Sequence, residues 1–272
     1  NYFVSNGFFY WLCWKSKREA WAVHRIQKDR EPRPEQVASE IRSSVKSLAW
    51  YAAIATFVLY CFRHGHTALF IGRVARGYHL ASLIALMFLH DTYFYWLHRF
   101  LHVRPVYRLI HQHHHDSRAP TPWAAYSLSN GEAILQCPLW VLCFTVPVHP
   151  AIMLTVLFLQ NIYDTFGHLG FEFFPKWMLR SRWLCAVQAT PTHHDAHHRY
   201  FRGNYGHYFN IWDRLMGTEL PQYASMCQAA HQPAASHGCV TPSSGRAARA
   251  AVKNSENGAD AHVRETSPAL SV

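Results

Sequence analysis

From His90 to His115 the sequence reads HDTYFYWLHRFLHVRPVYRLIHQHHH and holds seven of the chain's 21 histidines. Any fold available to this chain must accommodate their spacing. His98 and His102 are four apart, so on a helix they lie one above the other. His111, His114 and His115 stand at i, i+3 and i+4, again one stripe of a helix. A distant segment, HHDAHHRYF, repeats that spacing with His194, His197 and His198. Neutral imidazole is the commonest nitrogen ligand for iron, copper and zinc. Eight imidazoles in three boxes exceed what one metal takes and suit a pair of metals held between helices. A lone histidine on such a face is ordinarily a hydrogen-bonded core residue, and a His-rich tract can be a flexible metal buffer. Here Trp96, Phe100, Leu101, Tyr107, Leu109 and Ile110 interleave with the histidines, as in packed helices. His197 and His198 are adjacent, about 100° apart on a helix, and His194 shares a face with both. His193 points farther round.

The rest of the chain is built from apolar segments. Half of the 272 residues are hydrophobic and 15% are charged, enough for one large domain; the mean hydropathy of −0.13 averages greasy segments with a polar tail. Residues 1–14, NYFVSNGFFYWLCW, are too short to cross a bilayer alone and lack the basic start and cleavage site of a signal peptide. They read as the cut end of a membrane helix. Residues 15–46 read as a solvated, basic connector. Apolar helices are expected over residues 47–62 and 78–96, the second carrying His90 and Asp91 in its last turns. Ionisable groups at membrane depth are costly and usually functional. Two more apolar helices, 132–146 and 149–166, are split as a hairpin by Pro147 and Pro150, and Asp164 and His168 close the second. Flanking Trp and Tyr residues favour a membrane over a soluble bundle. Two crossings then separate the second box from the third, so all three boxes emerge on one face. Arg99, Arg104, Arg108, Lys176, Arg180, Arg182, Arg199 and Arg202 mark that face as cytoplasmic.

Charge and cysteine content exclude other classes. The net charge is +10. After Thr218, Arg246, Arg249, Lys253 and Arg264 balance Glu219, Glu256, Asp260 and Glu265, so the excess belongs to the body, where it flanks apolar segments. No nucleic-acid motif accompanies it, and nucleic acid is not an expected partner. The seven cysteines are scattered without a C-x-x-C pair, which argues against a disulfide framework or zinc ribbon. Beyond about Tyr223 no apolar period remains, so residues 219–272 read as a disordered tail, and His231, His237 and His262 as non-ligands.

The boxes H-R-F-L-H (98–102), H-Q-H-H-H (111–115) and H-D-A-H-H (194–198) resemble those of the fatty acid hydroxylase/sterol desaturase superfamily of integral-membrane di-iron oxygenases. The likeness extends to HDTYFYWLHR, to TPWAAYS (121–127) and to NYGHYFNIWDRLMGT (204–218), so it covers residues 15–218. Within the superfamily the pattern is most like the sterol C5-desaturase branch. The resemblance implies an all-α, multi-pass membrane bundle with a cytosolic histidine-rich di-iron cap. Its iron ligands would be His98, His102, His111, His114, His115, His194, His197 and His198, with His168 as a ninth and His113 and His193 open as substitutes. Asp91, Asp164 and Asp195 would accept the second N–H of ligand imidazoles, and His193 would stand in the same outer layer. One departure is Ser129-Asn130, where relatives often carry His-Pro; it touches substrate positioning and leaves the boxes intact.

The resemblance also implies a reaction. Two irons would activate O2 and oxidise an unactivated C–H bond of a lipid to an alcohol or an alkene, with electrons from cytochrome b5 and its NAD(P)H reductase or from a ferredoxin. A sterol is the first expectation. Fatty acyl, sphingolipid, alkylglycerol or carotenoid hydroxylation is the rival, and a membrane metal-binding or sensing protein is the reading outside enzymes. The expected location is the endoplasmic reticulum membrane with the boxes facing the cytosol, or the inner membrane in a bacterium.

Overall fold

A computed structural model describes residues 2–229. Among these residues the regular structure is helical, and the β pairing consists of two isolated bridges, Arg25 with Phe171 and Gln188 with Phe209. Helix α1 (Tyr2–Phe9) runs on as a π-helical turn over Tyr10–Ser16. Two long helices follow, α2 (Pro34–Arg63) and α3 (Arg76–Leu101). The second box is carried by α4 (Arg104–Val106), a π-helical turn (Tyr107–His111) and α5 (Gln112–His115). After a 3₁₀ turn (Pro122–Tyr126) come α6 (Asn130–Leu135), α7 (Pro138–Thr145) and α8 (Pro150–Gly167). The remainder is α9 (Lys176–Arg180), α10 (Arg182–Val187), α11 (Pro191–Tyr200), α12 (Ile211–Leu215) and α13 (Tyr223–Ala229).

Apolar side chains sort to two places. Val58, Leu86, Leu139, Cys143, Ile152, Met153 and Val156 form a layer between α2, α3, α7 and α8. Others on the same helices, including Phe57, Leu59, Leu80, Ile84, Val141 and Leu154, face outward. Two helices are long and apolar enough to cross a bilayer, Pro34–Arg63 and Gly77–Leu101, and only 17% and 22% of their apolar windows are buried. The core helix of a soluble protein would be mostly buried. Outward apolar residues in this number on two long helices call for lipid or another protein against them. On α3, His98 lies twelve residues beyond Leu86, about 18 Å along the axis, so the histidines gather at the opposite end of the bundle from the apolar layer.

Three boundaries differ from those expected. First, α2 absorbs the second half of the basic connector. Pro34 sits in the first turn with Glu35 beside it, a favourable helix start, and the polar face is covered by the segment after the second box. Ser44 donates to the Trp123 carbonyl at 2.9 Å, Gln36 to the Ala119 carbonyl at 2.9 Å, and Thr121 to the buried Glu40. Second, the stretch 132–146 is two helices, because Pro138 has no N–H to continue α6 and instead opens α7. Third, order continues past Tyr223: α13 lays Tyr223 and Cys227 on Ala196 of α11 beside Leu220, an i, i+4 pair too short to register as periodicity. Tail residues 230–272, with His231, His237 and His262, lie outside the described residues. The opening segment is packed as well: Trp14 donates to the Leu169 carbonyl at 3.0 Å, and Asn6 accepts from Thr165 on α8.

Candidate metal centre

Each box reaches the centre by a different local device. His98 occupies the last turn of α3 and His102 caps its end, its N–H still bonded to the His98 carbonyl. His111 closes the wide π turn, a geometry frequent at functional sites. His168 follows the last residue of α8. Helix α11 starts at a Thr190 cap, whose side chain accepts from the His193 N–H, with Pro191 next. Glu172 fixes this end further by accepting from the Thr192 N–H and hydroxyl at 3.1 and 2.7 Å.

The imidazoles fall into two groups. His98, His102, His111, His115 and His197 form one, and His114, His168, His194 and His198 the other, with ligand nitrogens in each group all within 4.8 Å of one another. Adjacent residues therefore part company. His114 and His115 serve different groups, as do His197 and His198, because consecutive side chains diverge by about 100° on a helix. In the first group Nε2 separations are 3.2 Å for His98–His111 and His102–His115, and 3.0 Å for His111–His115 and His115–His197. In the second they are 3.3 Å for His114–His168 and 3.1 Å for His168–His194 and His194–His198.

Five of these rings offer the centre a lone pair and no proton, so the His114–His168 contact cannot be a hydrogen bond. Nδ1 of His98, His197, His198, His168 and His114 faces the backbone carbonyl of Tyr205 (3.0 Å), Gly203 (2.7 Å), Ser117 (3.0 Å), Asp164 (2.7 Å) and Ser127 (3.3 Å) respectively. A carbonyl can only accept, so Nδ1 carries the proton and Nε2 of a neutral ring presents a bare lone pair. Burial favours the neutral form of these rings. Burial, reinforced by neighbouring imidazoles, holds His111, His114, His115, His194, His197 and His198 well below the usual histidine range. Burial lowers His168 to about 4 and, with His98 and His114 nearby, His102 to about 2. Lone pairs converging on one point repel unless a cation lies among them. Two nitrogens bound at right angles to one metal, each at ~2.1 Å, stand about 3.0 Å apart. The observed spacing fits a first-row transition metal in each group, and an all-imidazole set suits iron, copper or zinc.

The carboxylates expected around the ligands are engaged elsewhere. Asp91 Oδ1 accepts the N–H groups of His207, Tyr208 and Phe209 at 3.3, 2.7 and 3.1 Å. Asp195 accepts from Gln27 at 2.8 Å. Asp164 meets His168 through its carbonyl, while its carboxylate lies 3.6 Å from His207 Nε2. His193 bonds Asn210 at 3.0 Å and lies 3.3 Å from Asp213, and His113 meets Ser43 at 2.7 Å, so neither joins a group. The carboxylate that does face a ligand ring is Glu132, 2.7 Å from His111 Nδ1 and fully buried. Glu132 has no metal-box signature in the sequence.

The loop after α11 brings three further parts together. Phe201 and Asn204 have φ of 65° and 54°, and Gly203 of 119°. A Cβ on Gly203 would lie 2.4 Å from the Thr218 carbonyl, so only glycine lets the chain turn here and aim its carbonyl at His197. Asp213 accepts from the Tyr205 and Gly206 N–H groups at 2.8 and 2.7 Å, which presents the Tyr205 carbonyl to His98. Asp91 holds the next three residues. The paired runs HDTYF and NYGHYFN are thus two halves of one clamp.

Above the imidazoles lies a cavity of about 320 Å³. His98 and His111 of one group and His114, His168 and His194 of the other open onto it, and Phe94, Leu128, Ile162 and Phe166 supply much of its apolar wall. Both imidazole groups therefore adjoin one largely apolar chamber.

Comparison with known proteins agrees with this geometry. The fatty acid hydroxylase family profile matches residues 83–218. The chain is similar to lathosterol oxidase of Mus musculus, 33% identical over 200 residues, and of Homo sapiens, 30% identical over 200 residues; each alignment covers 72% of this chain and 65% of the relative. It is also similar to the methylsterol monooxygenase erg25A of Aspergillus fumigatus, 37% identical over 146 residues, 51% of this chain and 46% of the relative. The chain thus spans less than two thirds of the length of these relatives. No solved structure matches it. The matched segment begins on α3 and ends after the loop that clamps His98 and His197, so it takes in all nine imidazoles: the chain belongs to the fatty acid hydroxylase family.

Proposed function

We propose that the chain is a multi-pass membrane oxidoreductase that holds two iron ions and uses O2 to oxidise a sterol, introducing a C5 double bond as the names of its relatives suggest. The observation that carries this reading is one apolar cavity bordered by both imidazole groups. His98, His102, His111, His115 and His197 would hold one iron, and His114, His168, His194 and His198 the other. When bound, the irons would supply dioxygen activation and oxidation of an unactivated C–H bond, which amino-acid side chains cannot perform. The protein's own part is positional. Backbone carbonyls and Glu132 fix ring orientation and keep Nε2 free to bind, and the apolar wall seats a lipid while excluding water.

Electrons would arrive from the polar side, from cytochrome b5 and its reductase or from a ferredoxin. Exposed Arg104, Arg108, Arg118 and Arg202 surround the boxes there, and this cationic rim supports a cytosolic orientation in the endoplasmic reticulum or an equivalent inner membrane. Hydroxylation at a methyl carbon is the second reading, favoured by the 37% identity to a methylsterol monooxygenase. Expression in a yeast lacking its own C5-desaturase separates the outcomes by mass spectrometry of sterols. A new C5 double bond is expected. An oxygenated sterol would favour the second reading, and unchanged sterols with metal-loaded protein would overturn both.

A further inference from the structure

The cavity wall carries polar side chains besides five of the nine imidazoles, and nearly all are satisfied within the protein. Gln136 donates to Glu132 at 2.9 Å, Gln188 to the Ala189 carbonyl at 3.0 Å, and the Thr190 and Tyr223 hydroxyls meet at 3.1 Å. His207 is the exception. Its Nε2 is buried with no hydrogen-bond partner among the described residues, its side chain is 8% exposed, and it stands 3.6 Å from Asp164 Oδ1. Nor is this slack in the loop, because Asp91 grips the N–H groups of residues 207–209 and His90 bonds the Tyr208 hydroxyl at 2.8 Å. A buried polar atom that the fold holds in place without a partner leaves a hydrogen bond for something else to make.

We propose that His207 and Asp164 form an anchor for an alcohol, so that the substrate is a lipid held by its hydroxyl group. This rests on the oxidase reading above and names its substrate class. A separation of 3.6 Å is too long for a direct hydrogen bond, but an oxygen seated between the two can lie about 2.8 Å from each. The hydroxyl donates to the carboxylate and accepts from the His207 Nε2–H. A hydrocarbon would leave both groups unpaired.

The anchor also sets a distance. Asp164 precedes His168 by four residues on α8, about 6 Å along the axis. On the other side the Phe94 ring packs against both His207 and His98, with centroid separations of 4.7 and 5.2 Å. The anchored oxygen therefore shares one cavity wall with rings of both imidazole groups. The carbon oxidised should lie a few bonds from the carbon bearing the hydroxyl, as it can in a fused-ring alcohol.

The test uses the full-length chain in host membranes supplied with NADPH, at equal iron content per chain. The probes are lathosterol and its methyl ether, whose oxygen can accept a hydrogen bond but not donate one. Wild type should prefer the alcohol, and Asp164→Val should erase that preference. His207→Leu should raise KM for both compounds by roughly tenfold to a hundredfold with kcat nearly unchanged, and His207→Gln, which restores a donor, should recover much of the loss. Unaltered KM in His207→Leu, or a preference for the alcohol that survives Asp164→Val, overturns the anchor while the oxidase reading stands. Failure of iron-loaded wild type to oxidise either compound overturns the oxidase reading itself.

Discussion

His111 differs from its neighbours in what its outer nitrogen meets. His98, His114, His168, His197 and His198 face backbone carbonyls, whereas His111 faces the Glu132 carboxylate at 2.7 Å. A carboxylate behind a ligand imidazole makes the ring more basic, and losing such a partner typically costs 10- to 100-fold in metal affinity. Glu132→Ala should therefore weaken binding at the five-histidine group by roughly that factor, measured by chelator competition on purified protein. Glu132→Gln, which keeps an acceptor oxygen in place, should lose less; equal affinity in wild type and Glu132→Ala would contradict this role. Eight of the nine histidines were legible because helical spacing places them on faces that must converge; His168, alone after α8, was reached only through the family resemblance. Their outer partners were not. Every residue offers a carbonyl, and the path of the loop around Gly203 decides which one meets a ring. Glu132 was hidden at the head of a stretch that reads as a membrane helix.

At the scale of elements, long apolar periods were readable and breaks were not. α8 lies within a residue of its expected limits, while α3 runs five residues past Trp96, through His98 to Leu101, because the first box continues the same helix. The connector before residue 47 looked solvated because its charges are visible and its covering partners, the carbonyls of Ala119 and Trp123, lie far along the chain. The same blindness applies at α13. Thr190, the cap of α11, meets the Tyr223 hydroxyl at 3.1 Å, and the Tyr223 ring is buried among Ala196, Leu220 and Cys227. α13 is thus part of what steadies the third box. Tyr223→Ala should destabilise the folded protein by about 3 kcal/mol, the usual cost of removing a buried aromatic ring. It should also lower metal retention. Thermal unfolding in detergent checks the first effect and metal analysis the second; a wild-type melting profile would return α13 to the status of a dispensable tail.

Across the whole molecule, α3 joins two environments. Its earlier turns contribute Leu86 to an apolar layer shared with α2, α7 and α8, and its last turn contributes His98 to the metal centre. A helix of this kind puts a lipid-compatible surface and a polar redox site within one rigid body, and the cavity between them opens onto both imidazole groups. Two groups, rather than one large one, follow from the adjacent pairs His114–His115 and His197–His198, each of which divides its rings between the two. The most direct measurement is iron per chain in protein purified anaerobically with iron supplied. Two irons are expected, one for each group, with His102→Ala lowering the five-histidine group and His168→Ala the four-histidine group, each leaving the other iron bound. A wild-type protein that reproducibly saturates at one metal, or a His168→Ala protein that still retains both, would contradict the two-metal account.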